Sequence, residues 1–269
     1  MKTIVITGAS SGIGKAAAKY FAIKGWQVAA TIRKPETEVE LATYDNIKLY
    51  ALDVTDQDSI DKATIQVFQD TNSIDVVLNN AGYALAGIFE AATSDQIQHQ
   101  FNTNVFGLMS VTKSFLPHFR AKGSGLFINV SSVGGRITYP FTSLYHSTKW
   151  AVEGFTESLS YELGSLGIQV KLIEPGAVAT DFGGRSMDFT MPENFPDYAP
   201  AAQKFMTARA KSKRVPASPE SIAVRIYEAA TDNKSQLRYP AGDAAQILGY
   251  RKQLGGDGFL KFMREQLLS

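Results

Sequence analysis

Six short runs of β-branched and aliphatic residues punctuate this chain, at 3–7, 27–32, 47–52, 75–79, 126–131 and 169–174. A seventh, weaker run lies at 237–239, and helical patterns occupy 14–24, 57–69, 95–119, 142–163 and 221–231. Strands joined through helices need right-handed crossovers, so they lie parallel in one sheet with helices on its faces. Residues 76–78 and 127–130 are apolar without alternation, as strands covered on both faces must be. The expected fold is therefore α/β, a doubly wound parallel sheet of about seven strands in a single domain. Gly25 stops the first helix, and Ser218 with Pro219 begins the last.

A single α/β unit accommodates 269 residues, and 44% hydrophobic content supplies a sizeable core. The formal charge of +1 offers no electrostatic reason to expect nucleic acid as a partner. The lack of cysteine rules out disulfides and thiolate chemistry. No run approaches the roughly 20 apolar residues of a membrane span, and the start lacks a secretory leader's pattern. A cytoplasmic protein is the expectation.

Chemistry enters with TGASSGIG, residues 7–14, between the first strand and the first helix. Gly8, Gly12 and Gly14 allow a sharp turn and close backbone approach to a pyrophosphate, with Ser10, Ser11 and Ile13 supplying intervening amides. A tight packing turn would use glycine too, but its place after the first strand of a βαβ pattern favours a dinucleotide. An NAD-preferring site carries an acid at the end of the second strand. Here that end reads Thr31, Ile32, Arg33, Lys34. A guanidinium and an ammonium match the 2′-phosphate of NADP(H), the cofactor expected.

Tyr145 and Lys149 stand four apart in the helical stretch 142–163, hence on one face. A nearby ammonium would stabilise the phenolate and lower the phenol's pKa, making it a general acid or base. Ser132 ends the strand thirteen positions before Tyr145, on the carboxyl edge where open parallel sheets bind ligands. Residues 79–82, NNAG, end the fourth strand on the same edge, and Asn104 lies in the helix that follows.

Together, TGASSGIG, Asp53-Val54, NNAG, Asn104, the Ser132/Tyr145/Lys149 set and Pro175-Gly176 with Thr180 resemble the single-domain short-chain dehydrogenases/reductases, with Rossmann-type folds. The match runs in order from residue 1 to about residue 180. The resemblance implies that Tyr145 donates the proton to a carbonyl oxygen and that Lys149 holds the nicotinamide ribose and keeps the tyrosine acidic. It implies that Ser132 hydrogen-bonds the substrate oxygen and that Asn104 positions a water leading to Lys149. Asp53 and Val54 would contact adenine, and Asn80, Ala81 and Gly82 would line the cofactor. Pro175, Gly176, Val178 and Thr180 would hold the nicotinamide end, and Arg33 marks NADP preference. The family's additional basic residue before the second glycine is replaced by Ser11.

The implied reaction is hydride transfer between NADPH and a carbonyl, or its reverse. No metal is expected: His99, His118 and His146 lack ligand spacing, and His146, turned about 100° from Tyr145, reads as structural. A flap at 182–219, with Phe182, Met187, Phe189, Met191, Phe195, Tyr198, Phe205 and Met206, either closes over an apolar substrate or simply packs onto the body. KSKR, residues 211–214, reads as a solvated turn. Tyr250, Phe259, Phe262 and Met263 are candidates to border the pocket, and a lipophilic ketone or aldehyde is the expected substrate. Surplus apolar residues on 95–119 and 142–163 point to a homo-oligomer, a dimer or tetramer. The competing readings are a non-catalytic NADP-sensing protein and a sugar-nucleotide epimerase or dehydratase. The first would have no need of the filled catalytic positions, and the second needs more substrate domain than the 89 residues after Thr180.

Overall fold

The computed structural model describes residues 1–180, 187–190, 195–212 and 214–269. Its first half runs β1 (Thr3–Thr7), α1 (Gly12–Ile23), β2 (Gln27–Ile32), β3 (Ile47–Ala51), α2 (Gln57–Asp70) and β4 (Val76–Asn79). Then follow β5 (Ala84–Gly87), α3 (Ser94–Phe101), α4 (Gly107–Lys122), β6 (Gly125–Val130), α5 (Ser143–Gly164) and β7 (Ile168–Pro175). The remainder holds β8 (Met187–Thr190), α6 (Ala199–Lys211), α7 (Pro219–Thr231), β9 (Arg238–Ala241) and α8 (Ala244–Leu268). The main sheet has seven strands in the order β3-β2-β1-β4-β6-β7-β9, every pair parallel. All seven expected strands are in it.

Alternation along β1 builds both halves of the core. Ile4 and Ile6 face Phe21 of α1 and Ile226 of α7, whereas Val5 joins Val67, Phe115 and Leu159 of α2, α4 and α5. All are buried, and each such side chain stabilises the fold by roughly 1.5–3 kcal/mol. The winding reverses between β1 and β4, which leaves a crevice beyond their carboxyl ends.

Tertiary context changes several expected elements. The helix expected at 95–119 divides into α3 and α4 around a π-helical turn, Asn102–Phe106. Asn104 on that turn accepts the Tyr83 N–H (3.0 Å) and donates to the Tyr83 carbonyl (2.9 Å), much as a neighbouring strand would. No local spacing announces a partner at such a distance in sequence. The second, two-stranded sheet of β5 and β8 was not expected, because ALAG carries little strand propensity. Neither was α6, nor α8, which breaks at Gly255.

Of the expected flap, 182–186, 191–194 and 213 lie outside the described residues, Phe182 and Met191 among them. Phe205 on α6 is buried with its ring 5.5 Å from that of Phe141, so this part packs onto the body, while Met206 stays exposed. Phe259 of α8 is buried with Val133 and Ile137 of the segment after β6, and Phe262 and Met263 pack alongside. The C-terminal helix thus packs onto the segment after β6, and the four residues expected to border the pocket are not among those lining the cleft.

Candidate active site

The carboxyl ends of the sheet open into a cleft of about 1450 Å³. Every cofactor and catalytic candidate lines it except Gly14 and Asn104, which stand directly behind. The crevice is stitched by Asn80, whose amide donates to the carbonyls of Thr7 (3.0 Å) and Gly8 (3.1 Å). The Thr7 hydroxyl accepts the N–H groups of Asn80 (3.0 Å) and Ala81 (3.1 Å) in return. The ends of β1 and β4 are therefore one rigid unit.

The glycine loop has the features of an anion cradle. Gly8 has φ +69°, and a Cβ there would stand 2.8 Å from Ala81 Cα. A Cβ on Gly14 would stand 2.4 Å from the Gly8 carbonyl oxygen, so that position admits glycine alone. Ser11 is the N-cap of α1 but makes no side-chain cap, and no acid occupies the first turn. These first-turn amides and the positive helix end suit a pyrophosphate. Thr180 reaches back over this loop: a Cβ on Gly12 would meet its methyl carbon at 3.3 Å.

At the end of β2, Arg33 and Lys34 line the cleft with Thr37 and Glu38, two residues the sequence reading missed. Burial works against the Glu38 carboxylate, but the Leu41 N–H and the Lys15 ammonium at 3.0 Å hold its pKa below the ordinary value. The acid is thereby engaged by Lys15 and by backbone N–H groups. Only the alternation of Lys15 and Lys19 with Glu38 and Glu40 hints at this network in sequence. Asp53 holds both the N–H (2.9 Å) and the hydroxyl (2.7 Å) of Thr55. Burial opposes its ionisation, yet these bonds and the charge of Arg33 keep its pKa low.

The Ser132 and Tyr145 hydroxyls are hydrogen-bonded at the mouth of the crevice. Burial pushes the Tyr145 phenol up to about 12, against the pull of Ser132 in the other direction. Lys149 packs beside the same phenol. Its Nζ lies 5.8 Å from the Tyr145 ring centroid and donates to the Val130 carbonyl at 2.9 Å. Helical spacing puts both residues on one face, but the carbonyl at the end of β6 takes the ammonium. Burial brings the Lys149 pKa down to about 8, with Glu153 pulling upward. A lysine so tuned exchanges protons near neutral pH.

Asn104 is committed to the protein: besides Tyr83, its amide donates to Thr148 Oγ1 on α5 (3.0 Å). Its Oδ1 and Lys149 Nζ both approach Gly82, where a Cβ would lie 3.0 and 3.8 Å from them. The Pro175 segment is anchored by Asp243, which accepts the Ala177 N–H (3.1 Å). Val178 forms a parallel bridge to Ala217, tying this segment to the end of the flap. Among the described residues there is no group of three or more His, Asp or Glu able to hold a metal.

The family profile described as short chain dehydrogenase matches residues 2–189. The chain belongs to that family. It is an oxidoreductase of the NAD(P)-dependent short-chain dehydrogenase/reductase kind. It is 36% identical to the uncharacterized oxidoreductase YusZ of Bacillus subtilis, covering all of this chain and 99% of that one. It is 32% identical to the 3-ketodihydrosphingosine reductase of Bacteroides thetaiotaomicron, over 91% of this chain and 89% of that protein. Its fold is similar to that of a short-chain dehydrogenase from Streptomyces avermitilis, with TM-score 0.81, 33% identity and 98% of each chain covered. It is also similar to ElxO with NADP bound, with TM-score 0.74, 26% identity, and 91% of this chain and 99% of that one covered.

Proposed function

We propose that this short-chain dehydrogenase/reductase is an NADPH-dependent reductase of a lipophilic ketone or aldehyde, with Tyr145 as the general acid. The observation that carries the reading is the hydrogen-bonded Ser132–Tyr145 pair with Lys149 buried beside it at the crevice edge. A bound nicotinamide supplies the hydride; the side chains described here bind, orient and move the proton. The residues that would hold the cofactor are the glycine loop for the pyrophosphate, Asp53 and Val54 at adenine, and Arg33 and Lys34 at the 2′-phosphate. Asn80 to Gly82 and Pro175, Gly176, Val178 and Thr180 would line the nicotinamide half, with Lys149 on its ribose.

In this reading Ser132 Oγ–H and Tyr145 Oη–H both point at the carbonyl oxygen, where charge develops as hydride arrives at carbon. Tyr145 gives up its proton to that oxygen, and the resulting phenolate lies within the field of Lys149. Lys149, with a pKa near 8, stabilises that phenolate and then returns a proton towards it. Water reaching Lys149 past Asn104 completes the relay.

Preference for NADPH is supported by the basic end of β2, by the engagement of Glu38 with Lys15, and by the NADP bound to ElxO. The ketone is supported by the name of the Bacteroides reductase. Phe141 is held at φ +58° while its carbonyl accepts the Gly87 N–H. A non-glycine residue in this conformation is stored strain of a kind found at binding edges. We also propose that a homo-oligomer forms through α4 and α5: α5 leaves Trp150 and Tyr161 exposed at 46% and 78%, and Phe106 is exposed just before α4. No helix among the described residues is long and apolar enough to cross a membrane, and the cytoplasm is the proposed compartment.

The test is NADPH oxidation across aliphatic ketones, aldehydes and sugars, with Tyr145→Phe as control. Turnover of apolar carbonyls, lost by at least ~10³-fold in Tyr145→Phe with NADPH binding retained, is expected. Full activity in that variant, or turnover of polar sugars only, overturns the proposal.

A further inference from the structure

His146 is buried, although the sequence gives it no task beyond filling space beside Tyr145. The turn that carries it away from Tyr145 aims its ring at the segment following β6. Nε2 accepts the Tyr139 N–H at 3.0 Å, and Nδ1 lies 2.8 Å from the Gly134 carbonyl oxygen. One protonation state satisfies both contacts. A carbonyl offers only lone pairs, so Nδ1 must carry the proton; an amide offers only its proton, so Nε2 must not. The backbone thus selects a neutral ring with the hydrogen on Nδ1.

The next link leads to the reacting groups. The Gly134 N–H donates to Ser132 Oγ at 3.0 Å, and Ser132 hydrogen-bonds Tyr145. Gly134 lies so close to the imidazole that a Cβ on it would stand 2.6 Å from Nδ1. With one lone pair engaged by Gly134, the Ser132 hydroxyl has its proton directed away from the loop. Its remaining main-chain acceptor, the Pro175 carbonyl, is at 3.5 Å, the weak limit for such a bond.

We propose that His146 is a positioning residue for the reaction: it grips residues 134–139 at both ends and so fixes the Ser132 hydroxyl against the substrate oxygen. The inference rests on the reductase reading above. A 132–139 segment released from the ring would let Ser132 rotate, and misplacing a donor by a fraction of an ångström costs much of its worth in the transition state. The clamp is also proton-sensitive, since an imidazolium has no lone pair for the Tyr139 N–H. The titratable groups facing it are Tyr145 and Tyr139, each ring 5.8 Å away, and Arg214, which donates to the Tyr139 hydroxyl at 3.2 Å. Burial opposes a charge on the ring against the pull of the Gly134 carbonyl, so the clamp holds at neutral pH.

Three measurements decide this. In protein labelled with 15N-histidine, long-range 1H–15N correlation at neutral pH is expected to show the Nδ1–H tautomer for His146; an Nε2–H or charged ring overturns the proposal. Amide exchange at Gly134 and Tyr139 is expected to rise about tenfold or more in His146→Leu and to recover substantially in His146→Gln, which keeps a donor and an acceptor. Unchanged exchange in His146→Leu overturns it, and if that variant fails to fold, His146→Gln and the tautomer decide. With 2-dodecanone as the carbonyl, His146→Leu is expected to lower kcat about tenfold with the KM for NADPH within about twofold. In a Ser132→Ala background the same change is expected to cost less than about twofold. A full tenfold loss without Ser132 overturns the positioning role, even where Tyr145→Phe upholds the reductase. Failure of every ketone to react sinks the reductase reading instead, and the tautomer and exchange data still decide the clamp.

Discussion

Replacing Lys149 with methionine isolates a cost the fold bears for its chemistry. The ammonium belongs to a residue only 7% exposed, and burial lowers its pKa from an ordinary 10.5 to about 8. Below the lower value both the native and unfolded chains carry the proton, and the native state bears the whole burial penalty. Between the two values the unfolded chain keeps the proton while the native chain sheds it, so stability rises with pH across that window. The gain is about 2 kcal/mol between about pH 6.5 and about pH 9.5, at roughly 1.4 kcal/mol per pKa unit. Lys149→Met lacks this rise, and titrations elsewhere cancel between the two proteins.

The assay is urea unfolding of both proteins at those two pH values without cofactor, analysed by linear extrapolation. Relative to the variant, the native protein should gain about 2 kcal/mol at the higher pH. At neutral pH the variant escapes a penalty of about 3 kcal/mol but leaves the Val130 carbonyl unpartnered, at a cost of about 1–3 kcal/mol. It should therefore be about as stable as the parent while losing turnover. A difference flat with pH to within about 0.5 kcal/mol would refute the burial of a charged lysine and with it the proton relay.

Arg33→Asp should weaken NADPH binding about 100-fold with little effect on NADH, read by fluorescence titration; equal losses would remove the 2′-phosphate assignment. Gly14→Ala forces a Cβ to 2.4 Å from the Gly8 oxygen, so it should cost about 1–3 kcal/mol and most cofactor affinity, measured by unfolding and by titration. Asp232→Asn should cost about 3–5 kcal/mol, because it strands Lys171, whose Nζ lies 2.8 Å from the carboxylate and is 2% exposed. Burial opposes the Asp232 charge, yet Lys171, the Lys234 N–H and Tyr239 bring its pKa from an ordinary 3.8 down to about 2. Its contribution is therefore complete above the ordinary value and lost as pH falls towards 2, which an acid-unfolding series of both proteins would show.

Local pattern alone was enough to specify the seven strands of the main sheet, most of the helices beside them and the glycine loop. The reason is physical: an apolar run covered on both faces, or a Gly14 with no room for a methyl group, leaves its mark at the position itself. The gathering of Ser132, Tyr145 and Lys149 was legible for a similar reason, since strand ends and a single helical turn bring them to one edge. Where each polar head turns was decided by the tertiary structure. Spacing puts Lys149 on the face of Tyr145; that its Nζ also donates to the Val130 carbonyl, and that burial raises the phenol, follows only from the fold. Spacing dismisses His146, but the loop that passes behind α5 gives both its nitrogens a partner. The π turn carries Asn104, which bonds the backbone of Tyr83, 21 residues away. Hydrophobic periodicity is written residue by residue; the hydrogen-bond partner of a buried polar group exists only once distant segments have met.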